Sequence, residues 1–388
     1  MRLLTVQTGK HANWVGSHYW SALEHKPEWT SRETREQYNE SVHGSIVPRL
    51  FVIDSADSIG PFSVELPPEQ PLGESAFELR RVEPEPVHVH PLRQSVLLGQ
   101  STDVAFDSNS FRSWTDFWEP VSLPEHKLVV SLSEAPSETS HRFWFEYADL
   151  SPESLDESDL RRLIEETDNS VDIVRAVSSI GNGLVSHGLS VTDYLGSAYP
   201  KASFLTLTSP LPSMDHFQHD HAIPSVLNLA NLIFTESIRD KTLIVVPPHR
   251  DLDLITASAE EAVWLDSISF KPVASTVLEA PYLTIDGRTV FPVTDGSYGS
   301  HLPQARAQPV YKNRGSPLQL LANSDVITGT MAPKSLLPVL QATVPLLRRF
   351  ERDFKAAWEP HDLEKDDLVA IGEHLEGLIN DLKPECEE

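Results

Sequence analysis

Two short stretches hold the residue types that could do chemistry. The first is Gly9-Lys10-His11-Ala12-Asn13, which follows the apolar run Leu3–Val6. The second is Gly181-Asn182-Gly183, with Ser186, His187 and Gly188 close behind, which follows the apolar run 173–177. A strand, a glycine turn and a helix start together make an anion-binding geometry. Backbone N–H groups and the helix dipole then point the same way, and glycine keeps side chains out of the approach. Lys10 adds a cation beside the first turn. The alternative is that these glycines only shape turns. There is no G-x-x-x-x-G-K-[ST] loop. Ser186 sits in Gly183-x-x-Ser186-x-Gly188, one residue out of register for a G-x-S-x-G nucleophile elbow, so the strained turn that activates such a serine would be wrong.

Histidine is the other chemistry-bearing type. His216-Phe-Gln-His219-Asp220-His221 packs three imidazoles and a carboxylate into six residues, and His88-Val-His90 on a strand would point both rings to one face. Either set could hold zinc. Neither has a recognisable zinc spacing and no cysteine assists, so solvent-facing loop histidines are the competing reading.

The elements that must position these residues follow from pattern. Leu3–Val6 reads as a strand, and Trp14, Val15, Tyr19, Ala22 and Leu23 mark a helix over 11–23. Gly16 inside that helix costs about 1 kcal/mol relative to Ala, which predicts something packed very close to it. Residues 27–46 read as loop or short helix. Leu50–Ile53 is a buried-strand run. Prolines at 61, 67, 68, 71, 84, 86 and 91 predict a surface excursion over about 60–110. Aromatics at 111, 114, 117 and 118 have helical spacing and read as core. Residues 127–132 suggest a strand, and 143–147 an apolar stretch of open type. Ser151-Pro152-Glu153 caps a helix to about 167. Strands at 173–177, 202–207 and 242–246 alternate with helices ending near 199 and spanning 226–237. That alternation argues for a parallel sheet covered on both faces.

The later part reads differently. Asp286-Gly287 between short apolar runs signals a hairpin. Residues 324–330 suggest a strand. Residues 336–358 and 366–382 are amphipathic helices, with Pro338 and Pro345 expected to delay or kink the first.

Composition sets bounds. The 388 residues carry a net charge of −26 and are 40% hydrophobic. Such a surface repels nucleic acid and anionic membranes. Phe350–Glu388 alone has thirteen acidic against four basic residues, a solvated face or a contact for a basic partner. The single cysteine, Cys386, permits no internal disulfide and is not placed for prenylation. No signal-peptide pattern opens the chain, and no apolar run approaches the ~18–20 residues of a membrane span.

The opening also carries a resemblance. Gln7-x-Gly9-x-x-x-Asn13-x-x-Gly16-x-x-x-Trp20 is similar to the first strand, nucleotide loop and helix of the tubulins. Tyr38-Asn39-Glu40, Val47-Pro48-Arg49 and Leu50-Phe51-Val52-Ile53-Asp54 resemble the tubulin segment leading into its second buried strand and its Asp. Gly181–Gly188, Tyr199-Pro200 and Phe204-Leu-Thr resemble the glycine-rich loop, its helix and the next strand. The pairing of Asn13-Trp14-Val15-Gly16 with His18-Tyr19-Trp20, and the segment Trp358–Leu368 with its final Leu-rich helix, resemble the divergent Misato branch.

The resemblance implies a fold: an α/β, tubulin/FtsZ-like, mostly parallel sheet over 1–240 with helices on both faces, then a smaller α+β part and a helical C-terminus over 241–388. It implies that Leu3–Val6 is an interior strand and that the turns near 9 and 183 face one another across a shared hollow. GTP or GDP would there meet Gly9, Lys10, His11, Asn13, Gly181, Asn182, Gly183, Ser186 and Gly188. Lys10 and His11 stand where tubulins have small or polar residues, and the glycine loop is thinned. The resemblance therefore implies a non-enzymatic protein of mitochondrial distribution, inheritance and morphology. It would work in the cytoplasm and at the mitochondrial outer surface, with tubulin and cytosolic chaperonin as partners. A polymerising GTPase and a zinc hydrolase built on His216–His221 are the alternatives.

Overall fold

A computed structural model describes residues 2–25, 37–40, 46–59, 90–91, 94, 111–118, 126–130, 143–147, 157–166, 171–208, 223–238, 242–244, 258, 262, 283–285, 288–290, 333–358 and 363–387. The elements are β1 (Leu3–Thr8), α1 (Lys10–His25), β2 (Tyr38–Glu40), β3 (Ile46–Pro48), β4 (Leu50–Ser55) and α2 (Ala56–Ile59), then β5 (His126–Val130), α3 (Glu157–Glu166), β6 (Ile173–Ser178) and α4 (Val185–Ala198). They continue with β7 (Ser203–Thr208), α5 (Ile223–Ile238), β8 (Thr242–Ile244), β9 (Leu283–Ile285), β10 (Arg288–Val290), α6 (Pro333–Asp353), α7 (Lys355–Trp358) and α8 (Lys365–Glu387). Single 3-10 turns lie at Trp114–Phe117 and Trp144–Tyr147.

Six strands form one parallel sheet in the order β5-β4-β1-β6-β7-β8. Counting only these six, the order is 3-2-1-4-5-6, that of a doubly wound α/β sheet. β1, β4 and β6 are buried at every position, as strands covered on both faces must be. Register divides the faces. Leu4, Val6, Phe51, Ile53, Val174 and Ala176 pack with Leu160 and Leu163 of α3 and Val191 and Leu195 of α4. Thr5, Gln7 and Arg175 alternate with them and meet α1 instead.

A second core gathers α5, α6 and α8. Leu229 and Ile233, Leu340 and Leu347, and Leu368 and Leu375 are among its members, and Phe145, Ile180 and Val185 join it to the sheet. α5 is buried around most of its circumference, as its apolar sequence requires.

Several expectations shift. β8 is the sixth strand, so the sheet extends past residue 240 to Ile244. Residues 38–40, within the stretch 27–46 read as loop or short helix, pair with 46–48 as an antiparallel ribbon. The aromatic run at 111–118 closes a 3-10 turn rather than a longer helix, with Trp114 and Trp118 buried as core. There Asp116 accepts the N–H groups of Arg112 and Ser113, folding the segment back on itself. α6 runs through both Pro338 and Pro345. Pro345 and Gln341 are both exposed, so the Gln341 carbonyl that loses its helical N–H faces water. β9 and β10, on either side of Asp286-Gly287, pair antiparallel with Ile285 opposite Arg288. The cap at 151–153 and the strand at 324–330 lie outside the described residues, as does most of the proline-rich excursion.

Candidate functional site

β1 and β6 are the strands at which the sheet order reverses, and their carboxyl ends are where open α/β sheets hold ligands. Gly9 leaves β1 with φ +83, a conformation that favours glycine. Its N–H donates to the Ile53 carbonyl (2.8 Å), and its own carbonyl accepts the Asn13 N–H (3.1 Å) to start α1. The loop after β6 lies directly against it. A Cβ on Gly9 would come 2.8 Å from Ser179 Cβ and 3.1 Å from Asn182 Oδ1. Ser179 N–H donates to the Thr8 carbonyl (2.8 Å), and Ser179 Oγ accepts the Ala12 N–H (3.0 Å). One free donor of the first turn of α1 is thus taken by the neighbouring loop.

The glycine loop is held from outside by Asn228 of α5. Its Nδ2 donates to the carbonyls of Ile180 (2.9 Å) and Asn182 (3.1 Å), and its Oδ1 accepts the Trp144 N–H (2.8 Å). Asn182 Oδ1 accepts the Leu184 N–H (3.3 Å), and Ser186 Oγ donates to the Gly183 carbonyl (3.0 Å).

Two glycines serve packing rather than ligand approach. A Cβ on Gly16 would lie 2.0–2.2 Å from the Gln7 amide, and one on Gly188 would lie 2.5 Å from Thr8 Oγ1. Successive residues of β1 therefore each have a helix pressed onto them, one per sheet face.

Asp54, the next-to-last residue of β4, is fully buried. Its Oδ2 accepts from Asn13 Nδ2 (2.8 Å) and Trp114 Nε1 (3.2 Å), and its Oδ1 from the Ser55 N–H (2.8 Å). Burial pushes its acid up from 3.8 to about 6 against those three hydrogen bonds and the nearby Lys10 charge. Burial lowers His187 to about 4, leaving it neutral at pH 7.

The structure therefore brings together Gly9, Asn13 and Asn182; Gly183 is buried in the same loop with its carbonyl taken by Ser186, Lys10 is exposed and His11 half-buried. Gly181 is exposed with open space where a Cβ would stand. Gly188 is displaced into α4. Ser186 comes within 3.4 Å of His187 Nδ1, while its hydroxyl donates to the nearer Gly183 carbonyl (3.0 Å). His216–His221 and His88 lie outside the described residues. His90 is buried and stacked on Phe111 (4.3 Å between centroids). Among the described residues no cluster of metal-ligating side chains occurs, and no helix is long and apolar enough to cross a membrane.

Sequence reasoning missed Ser179, Asn228 and Trp114 as organisers of this site. Only Asp54, a carboxylate closing an apolar strand, carried a visible signal. No protein-family model matches the chain, and no curated protein matches it.

Proposed function

We propose that this is a non-enzymatic, tubulin-like protein of the Misato type, in which the nucleotide hollow is kept as a scaffold. The observation that carries the reading is the meeting of the Gly9 turn with Ser179 and Asn182 at the switch point of a 3-2-1-4-5-6 sheet. The motif residues quoted for the resemblance occupy those same turns. The scaffold role draws support from how the donors are used. Ser179 Oγ stands on the Ala12 N–H where an anion's oxygen would otherwise act. Asn182 places a side chain over Gly9, at a point where phosphate binding calls for bare backbone.

By resemblance, the protein acts in mitochondrial distribution, inheritance and morphology. It attaches peripherally to the mitochondrial outer surface and works with tubulin and cytosolic chaperonin.

The test is the nucleotide content of the purified full chain, read by chromatography after denaturation, together with sedimentation with and without GTP. The scaffold reading expects no stoichiometric guanine nucleotide and no GTP-dependent sedimentation. Bound GTP or GDP with nucleotide-driven assembly would replace it with the polymerising-GTPase reading, and stoichiometric zinc would favour the histidine cluster.

A further inference from the structure

We infer that the outward faces of α6 and α8 form the contact of a two-fold symmetric dimer, in which α6 of each copy lies along α8 of the other. Within one chain the two helices are an antiparallel pair whose register follows from side-chain contacts. Leu347 Cδ2 lies 3.5 Å from where a Cβ on Gly372 would stand, Arg348 bridges to Glu376, and Lys365 Nζ meets Glu351 Oε1 at 2.9 Å. Rising residue numbers on α6 thus stand beside falling numbers on α8.

Each helix turns a narrow stripe to solvent. On α6 it is Gln341, Pro345, Arg348 and Arg352; on α8 it is Asp366, Ala370, Glu373 and Gly377, with Asn380 beyond. Both stripes step by four, three and four residues, which traces one line along a helix. Their charges are opposite. Arg348 and Arg352 have side chains 65% and 74% exposed, and Asp366 and Glu373 are exposed on α8. The register sets Arg348 level with Glu373 and Arg352 level with Asp366, each within about half a turn. It also sets the Gln341 carbonyl, which Pro345 deprives of its helical N–H, level with the exposed Asn380.

A two-fold axis parallel to the helices keeps every residue at its own height and lays α6 of one copy over α8 of the other. Arg348 of each copy then meets Glu373 of the other, and Arg352 meets Asp366. The Asn380 amide faces the Gln341 carbonyl, and Pro345 comes over Gly377, which has no side chain to obstruct it. A second copy answers both stripes at once, whereas a basic partner of another kind would answer α8 and leave α6 exposed. The arginines have donors to spare. Arg352 gives Nε and Nη2 to Asp353 (2.7 and 3.0 Å) and Arg348 gives Nη2 to Glu376, out of five N–H groups on each guanidinium. The net charge of −26 on each copy opposes association. At about 0.15 M salt the Debye length of about 8 Å screens distant charge, while pairs in contact act inside it. Exposed ion pairs contribute little each, so the dimer forms at high protein concentration. It needs no nucleotide and is independent of the scaffold reading of the hollow.

The test is sedimentation velocity of the full chain without nucleotide, from about 1 to about 300 µM, with two charge reversals. One variant carries Arg348→Glu and Arg352→Glu, the other Asp366→Arg and Glu373→Arg. The wild type should shift from monomer toward dimer as concentration rises. Each variant alone should stay monomeric, because both of its stripes then carry one sign. An equimolar mixture should dimerise again, since every stripe meets its opposite. A wild type that stays monomeric would overturn the dimer and return α8 to a basic partner of another kind. Variants that associate like the wild type, or a mixture that stays monomeric, would overturn it as well. Cross-linking gives a second arm without charge reversal. In a Cys386→Ser chain, Arg348→Cys and Glu373→Cys copies mixed under oxidation should join by a disulfide, and Arg348→Cys mixed with Ser197→Cys of α4 should not. Equal yields from the two mixtures would contradict the proposed contact.

Discussion

Three glycines with one side-chain type show how position decides cost. A methyl group at Gly16 collides with the Gln7 amide, which is wholly buried, so the Gln7 side chain would have to repack inside the core. Gly16→Ala should therefore destabilise by ~2 kcal/mol or more. Gly188→Ala meets Thr8 similarly, at 2.5 Å. Gly181 has nothing near its missing Cβ and no positive φ, so Gly181→Ala should be neutral or stabilising by up to ~1 kcal/mol. Chemical denaturation of the three variants checks the ranking. Two buried titrating groups give a second prediction at this scale. Asp54 keeps its proton up to about 6 when folded but releases it near 3.8 when unfolded. Its contribution to stability is full below the unfolded value and is lost as pH rises to about 6. His187 does the opposite: folded it resists protonation down to about 4, so stability is lost as pH falls below 6.5. Each shift corresponds to roughly 3 kcal/mol, and the two act in opposite directions as pH changes. Relative to wild type, His187→Gln should gain stability as pH falls from about 6.5 to about 4, and Asp54→Asn should lose it. Parallel curves for all three proteins would contradict this.

Among the elements, the β1–turn–α1 unit shows what sequence can and cannot deliver. Its strand, its turn glycine and its helix were legible because an apolar run, a glycine and helical spacing are local signals. The close contact at Gly16 was legible too, since a glycine in a helix needs a reason. The partner of the α1 N-terminus was not, because Ser179 lies 167 residues from Ala12 and is one serine among many. The two short strands at 38–48 were hidden by polar sequence whose pairing is set by the chain around it. Arg175 was equally hidden: it looks like an interruption in Ile-Val-Arg-Ala-Val, yet it lies buried under α1, donating to Thr5 Oγ1 (3.0 Å) with Tyr19 beneath its guanidinium (4.4 Å). The cap yields a prediction of its own. Ser179→Ala removes the hydroxyl that accepts the Ala12 N–H, and it should cost ~1 kcal/mol, as loss of an N-cap does. Hydrogen exchange should rise at Ala12 while the centre of β1 stays protected. Equal loss of protection at both would show that Ser179 supports the whole sheet rather than the helix start.

For the whole molecule, the question is whether the C-terminal helices are an appendage or part of the same core. Leu375 of α8 is fully buried in the cluster that holds Leu347 and Phe350 of α6, Leu229 and Ile233 of α5, and Ile180 and Val185 beside the glycine loop. Asn228 lies on that same α5 and grips the carbonyls of Ile180 and Asn182. A cavity opened at α8 therefore loosens α5, and α5 is what holds the loop. Leu375→Ala should cost ~2–5 kcal/mol, as buried leucine truncations do. It should also raise hydrogen exchange at Gly181, Asn182 and Gly183, although no atom of the loop has been altered. If the C-terminal helices instead unfolded on their own, exchange would rise along α6 and α8 while the loop kept its wild-type protection. The first outcome makes the acidic C-terminal helices a lever on the switch point of the sheet, so that a basic partner seated on α8 would be felt at Gly9. The second confines such a partner's effect to the helices it touches.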